Sequence, residues 1–175
     1  MAVPIQVPRR TLLVLCGSAG CGKSTFAARH FGDPPTQIVS SDACRAQICD
    51  DPNSQQVNRD TFDLFYYIIN KRLFNGRFTV ADSTALQWDA RRKLREIARR
   101  HGYFACLLLF TIPPEVCLQR DRGRARQVGP QVILYHTDLL KQAVQNIPDE
   151  QWDAVYVLNE GDDLEIEVVE GPAPA

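Results

Sequence analysis

Gly17-Ser18-Ala19-Gly20-Cys21-Gly22-Lys23-Ser24 is a complete G-x-x-x-x-G-K-S loop, and its neighbours on both sides give it meaning. Before it, Thr11-Leu-Leu-Val-Leu-Cys16 is a short apolar run of the kind that forms a strand buried on both faces. After it, residues 23–31 have helical composition and stop at Gly32-Asp33-Pro34-Pro35. A strand, a glycine-rich turn and a helix start together make an anion cradle. The glycines let backbone N–H groups turn inward, and the helix adds its positive end. In such a loop the lysine bridges the β- and γ-phosphates and the following serine ligates Mg²⁺. The expected donor is therefore ATP or another nucleoside triphosphate, with Mg²⁺ or Mn²⁺. It would be held by Gly17, Ser18, Ala19, Gly20, Cys21, Gly22, Lys23, Ser24 and Thr25. An ordinary glycine turn with a surface lysine would need neither the strand nor the helix. Cys21 fills a variable loop position and reads as a passive small residue.

Further short strands are expected at Gln37-Ile-Val-Ser40, at Arg77-Phe-Thr-Val-Ala81, at residues 103–110 and at Ala154-Val-Tyr-Val-Leu158. Helical periodicity runs over residues 57–75, where Val57, Thr61, Phe65, Ile68, Ile69 and Leu73 share a face and Gly76 closes the pattern. A second helix is read at 88–100, with Ala90, Leu94, Ile97 and Ala98 inward and Arg91, Arg92, Arg95 and Arg99 on a polar face. Others follow from Pro113-Pro114 to near Arg120 and over about 131–146. Residues 165–170 would add an edge strand. Strands alternating with helices predict an α/β fold: an open, mainly parallel five-stranded sheet with helices on both faces. With its loop, this is the P-loop kinase type. One domain over residues 1–170 is expected, with a Pro/Ala linker or truncated end at 171–175.

Composition narrows the function classes. Among 175 residues, 45% are hydrophobic and 23% charged, as in ordinary globular proteins. Pro4 and Pro8 interrupt the N-terminus, so no signal peptide is read there, and no apolar run is long enough to span a membrane. The six cysteines form no C-x-x-C pair and no Cys/His ligand spacing. A reduced, cytoplasmic protein without structural zinc is expected. The net charge of −1 hides a division: nine of the 21 acidic residues lie in 149–175, which leaves 20 basic and 12 acidic residues in 1–148. That surplus suits a polyanionic ligand.

In open α/β sheets, ligands collect at the carboxyl ends of the strands. Asp42 and Asp82 both follow strands. A carboxylate there can orient an acceptor hydroxyl and take its proton, and Asp42 is the candidate base. Arg45, three residues on, would share its helix face and hold a neighbouring anion. Helix capping is an equally ordinary role for Asp42, and a turn role for Asp82. Functionally, Asp82 would position Arg45 or a Mg²⁺-bound water. Arg120-Asp-Arg122-Gly-Arg124-Ala-Arg126 places four arginines in seven residues and reads as a flap over the triphosphate, against a solvated basic helix end.

Three segments, Val39-Ser-Ser-Asp42-Ala-Cys-Arg45, Thr79-Val-Ala-Asp82-Ser-Thr84 and the stretch to Arg126-Gln127-Val128, resemble the 5′-OH polynucleotide kinase domain of bacterial polynucleotide kinase–phosphatase proteins. The resemblance runs over nearly the whole chain. It implies transfer of the γ-phosphate to 5′-OH ends of RNA or DNA, with Asp42 as general base and Arg45 on the acceptor phosphate. Lys23 and Ser24 would serve ATP and Mg²⁺, and Arg120, Arg124 and Arg126 would form the lid. Phosphatase and ligase-like domains accompany such kinases in the full-length proteins. Two departures stand out: Ala85 replaces an asparagine common after Asp-x-Thr, and the lid is one residue shorter. A small-metabolite kinase would use the same loop and Asp42. A nucleotide-gated switch is a further alternative, although no Asn-Lys-x-Asp guanine-reading segment is present.

Overall fold

The computed structural model describes residues 4–171. The predicted Pro/Ala end therefore lies, but for Gly171, outside the described residues. Strand β1 is Ile5–Pro8, and the apolar run before the loop is β2, Thr11–Cys16. All six residues of β2 are buried, because it is hydrogen-bonded on both edges and covered on both faces. The remaining strands are β3 (Ile38–Ser40), β4 (Thr79–Asp82), β5 (Phe104–Phe110), β6 (Ala154–Leu158) and β7 (Ile166–Val169). Five of them form a sheet in the order β3-β4-β2-β5-β6, with every pairing parallel. Parallel neighbours require crossovers, and helices supply them.

Those helices are α1 (Lys23–Phe31), α2 (Ser41–Cys49), α3 (Asn58–Phe74), α4 (Trp88–Arg100), α5 (Pro114–Arg122) and α6 (Pro130–Asn146). The alternation of strand side chains sorts the core into two layers. Leu12, Val14 and Cys16 pack with Phe65, Ile69 and Leu73 of α3 and Leu94 and Ile97 of α4. Leu13 and Leu15 pack with Phe26, Ala27 and Phe31 of α1 and Cys117 of α5. Helix α6 contributes Ile133 to the second layer and Ala143 to the first, so it passes from one layer to the other and bridges them.

Two expectations are corrected. The tail strand β7 does not extend the main sheet; it pairs in parallel with β1 in a separate two-stranded sheet. Strand β1 went unread because it has only four residues and ends in a proline that cannot donate to a ladder. In α4, Arg91 faces inward with Leu94, Ile97 and Ala98 and is buried, whereas Ala90 is only half-buried. A charge reaches the core here because Glu150, also buried, accepts from its guanidinium at 2.7 Å. Arg91 also donates to the carbonyls of Ala85 (3.1 Å) and Leu86 (2.7 Å), and so shapes the loop that follows Asp82. The carbonyl of Ala85 accepts as well from Cys16 at the end of β2. These bonds hold Ala85 at a φ of +46°, a conformation that costs an L-residue with a Cβ.

Candidate active site

The phosphate loop is built by close approach. Gly20 sits at φ +78°, and a Cβ there would lie 2.8 Å from the carbonyl oxygen of Cys117. Gly22, at φ +101°, is the residue from which α1 starts. A side chain at either position would be strained at that φ, and at Gly20 it would also collide with the Cys117 carbonyl. Lys23 is buried and folds back into the loop, donating at 2.8 Å to the carbonyls of both Gly17 and Ser18. Thr25 lies exposed in the first turn of α1. Cys21 is buried, as its reading as a small packing residue expects.

Register brings the carboxylates to the loop. Leu15 of β2 stands opposite Asp82, and Ser40 of β3 stands opposite the same Asp82 on its other side. Strands lie roughly 4.8 Å apart. The loop, Asp82 and the start of α2 therefore form one row along the carboxyl ends of the sheet. Asp82 accepts from Ser24 Oγ at 2.7 Å. Burial pushes the Asp82 carboxyl above the usual range; the Ser24 hydrogen bond and the Lys23 ammonium oppose this, and the nearby Asp42 charge adds to it. Asp82 thus senses both Lys23 and Asp42, which places the three groups in one electrostatic neighbourhood. Its predicted contact with Arg45 is not made.

Asp42 is not the cap of α2. Ser40 takes that role, its side chain accepting from the N–H of Ala43 at 3.2 Å. The Asp42 carboxylate, in the first helical turn, is left to face the flap, and Arg126 donates to its Oδ2 at 2.8 Å. Arg45 departs from expectation. It is buried and donates to the carbonyl of Ser54 (2.8 Å) and Oδ1 of Asn58 (3.0 Å), so it braces the connection from α2 to α3 instead of projecting toward an acceptor.

The four clustered arginines divide by role. Arg120, near the end of α5, donates to the carbonyl of Cys21 at 2.8 Å and closes on the phosphate loop. Arg126 reaches Asp42. Arg122 and Arg124 are exposed, and their guanidinium groups have no hydrogen-bonded partner among the described residues. Residues 123–129 are irregular, as a flap requires, and Asp121 ties their far end down. Its buried carboxylate accepts from the N–H of Val128 (2.9 Å) and of Gly129 (3.0 Å).

Sequence reasoning missed both Asp121 and His136. Nδ1 of His136, on α6, accepts from the backbone N–H of Ala19 at 3.1 Å, across 117 positions of chain. Burial, with help from the Lys23 charge, lowers the His136 pKa to about 4, which keeps the ring neutral. Neither residue carries a local sign of its role: Asp121 finds its partners seven and eight residues on, and His136 finds Ala19 across 117 positions.

The donor set fits a hard cation shared with phosphate oxygens. Ser24 Oγ and the Asp82 carboxylate lie together, and among the described residues no group of three or more His, Cys, Asp or Glu could hold a metal without other ligands. Mg²⁺ is commonly bound in this way, by one or two protein oxygens, water and substrate phosphates.

A five-stranded parallel sheet with this loop, a carboxylate row and an arginine flap defines a P-loop kinase-type fold. The AAA domain family model matches residues 12–147, and the chain belongs to that family. No curated protein sequence matches it. Among solved structures, a gluconokinase from Sinorhizobium meliloti 1021 aligns with a TM-score of 0.60 at 18% identity, over 90% of this chain and 86% of that one. The Mycobacterium tuberculosis APS kinase CysC, in complex with AMPPNP and APS, gives 0.56 at 15% identity, over 90% and 92%. Shikimate kinase from Bacteroides thetaiotaomicron gives 0.53 at 11% identity, over 84% and 86%. At such identities the likeness establishes the fold.

Proposed function

We propose that the protein transfers the γ-phosphoryl group of ATP to an acceptor hydroxyl. The observation that carries this reading is the placement of Asp42. With Ser40 capping α2, the Asp42 carboxylate is left out of the cap and held at the carboxyl edge of the sheet by Arg126, near enough to Asp82 for its charge to act there.

Each step uses a group already in place. Lys23 exchanges the carbonyls of Gly17 and Ser18 for phosphate oxygens. Ser24 and Asp82 would hold Mg²⁺ and its water, which neutralise phosphate charge. Asp42 orients the acceptor hydroxyl and takes its proton as the phosphoryl group leaves ADP. Arg126 is released from Asp42 when the acceptor arrives and turns to the transferring phosphoryl group; Arg120 remains over the loop.

For the acceptor we propose the 5′-hydroxyl end of RNA or DNA. The motif around Asp42 and Arg45, the Asp82 segment and the basic surplus of residues 1–148 support it. In this reading Arg45 acts through the 51–58 connection, which it braces as a wall of the acceptor side. A small hydroxylated metabolite is the second reading, favoured by the similarity to a gluconokinase, a shikimate kinase and APS kinase. Incubation with γ-labelled ATP and either a 5′-OH oligonucleotide or a panel of sugars, sugar acids and nucleosides separates the two. Label on the oligonucleotide is the expected result. Label on a metabolite, with the oligonucleotide untouched, would replace the first reading by the second.

A further inference from the structure

The peptide group joining Ser18 to Ala19 is held at both ends. Its carbonyl accepts from Lys23 Nζ at 2.8 Å, and its N–H donates to Nδ1 of His136 at 3.1 Å. Because the C=O and N–H of one trans peptide point in opposite directions, fixing one aims the other. The ammonium of the loop and the imidazole of α6 are therefore coupled through a single rigid plane.

We propose that His136 is a positioning residue for the phosphate donor: by accepting from Ala19 N–H it aims the Ser18 carbonyl at Lys23 and holds the first half of the loop in the shape that receives a phosphate chain. The proposal rests on reading the loop as the ATP site. The acceptor role requires that Nδ1 carry no proton, so the ring is neutral with its proton on Nε2. Burial and the facing Lys23 ammonium both disfavour a second positive charge there. The placement also gives the loop a mechanical partner. The segment from 123 to 129 lies between α5, whose Arg120 donates to the Cys21 carbonyl, and α6, whose His136 accepts from Ala19 N–H. The two helices that carry the flap thus each contact the loop.

The test measures binding of Mg²⁺–AMPPNP to the full chain by calorimetry, with no turnover required. His136→Ala leaves the Ala19 N–H without its partner and should weaken binding about tenfold. His136→Asn places a carbonyl oxygen near the position of Nδ1 and should restore affinity close to that of the wild type, a rescue that general loss of packing would not show. The imidazole ¹⁵N spectrum of the wild type should report an unprotonated Nδ1 and a protonated Nε2 at neutral pH, a readout that stands even if a variant fails to fold. Unchanged binding in His136→Ala, equal losses in both variants, or an Nδ1–H ring would overturn the proposal. A wild-type protein that binds no AMPPNP would instead overturn the donor-site reading itself, and this proposal with it.

Discussion

Arg126 of the flap and Asp42 of α2, 84 positions apart in the chain, are joined at 2.8 Å across the mouth of the site. In the proposed reaction this one contact links the group that would cover the donor to the group that would meet the acceptor. Both side chains keep substantial exposure, 29% and 53%, so the pair is worth little as a stabilising salt bridge and is easily exchanged.

Arg126→Ala should therefore leave stability nearly unchanged while lowering kcat by about 10²–10³-fold, the range for losing one group aimed at developing charge. Arg124→Ala, at an exposed position with no bonded partner, should have a much smaller effect. Equal losses in the two variants, read from steady-state kinetics, would remove the distinction between them.

Burial raises the Asp82 carboxyl above its usual range, against the Ser24 hydrogen bond and the Lys23 charge. Asp82→Asn keeps the shape and an acceptor for Ser24, yet removes the charge. Transfer should fall about 10–100-fold, as for loss of a group orienting a metal site, while the melting temperature without nucleotide rises or holds. A variant that loses activity together with stability would reassign Asp82 to a structural role.

Arg91 and Glu150 form the buried pair of the core, with side chains 1% and 4% exposed. Arg91→Met should cost about 3–5 kcal/mol by stranding the carboxylate. Arg91→Met combined with Glu150→Leu should recover much of that loss. Denaturant unfolding of the two variants measures the difference.

Burial alone would raise the Glu150 carboxyl, but hydrogen bonds from Arg91 and Trp152, with the Arg91 and Arg95 charges, bring it below its ordinary value of 4.5. A depressed folded-state pKa means a contribution present above that value and lost as pH falls through the lower, folded one. Stability should therefore decline below about pH 4.5, and less steeply when Glu150 and Arg91 are both replaced. The slope of unfolding free energy against pH checks it.

The main sheet was legible because parallel strands buried on both faces must be apolar throughout; Thr11–Cys16 and Phe104–Phe110 announce themselves. The phosphate loop was legible because its chemistry needs glycines at fixed spacing. What escaped reading was made by partners distant in sequence. Arg91 occupies the same i, i+3, i+7 stripe as Leu94 and Ala98, but its charge argued against burial until Glu150, 59 positions on, supplied the counter-charge. Asp42 could equally have capped α2, and only the bond from Ala43 N–H to Ser40 Oγ gives that role to Ser40. Arg45 has the spacing for the acceptor, yet Ser54 and Asn58 claim it. The pairing of β1 with β7 and the hold of His136 on Ala19 leave no local trace, since neither segment carries a pattern that names its partner.

The most direct measurement compares nucleotide binding and single-turnover phosphoryl transfer in Asp42→Asn. With the Asp42 carboxylate acting as the base, ATP affinity should stay within about threefold of the wild type while the transfer rate falls about 10²–10⁴-fold. Transfer at the wild-type rate in that variant would contradict the account, because it would leave Asp42 as no more than a partner for Arg126.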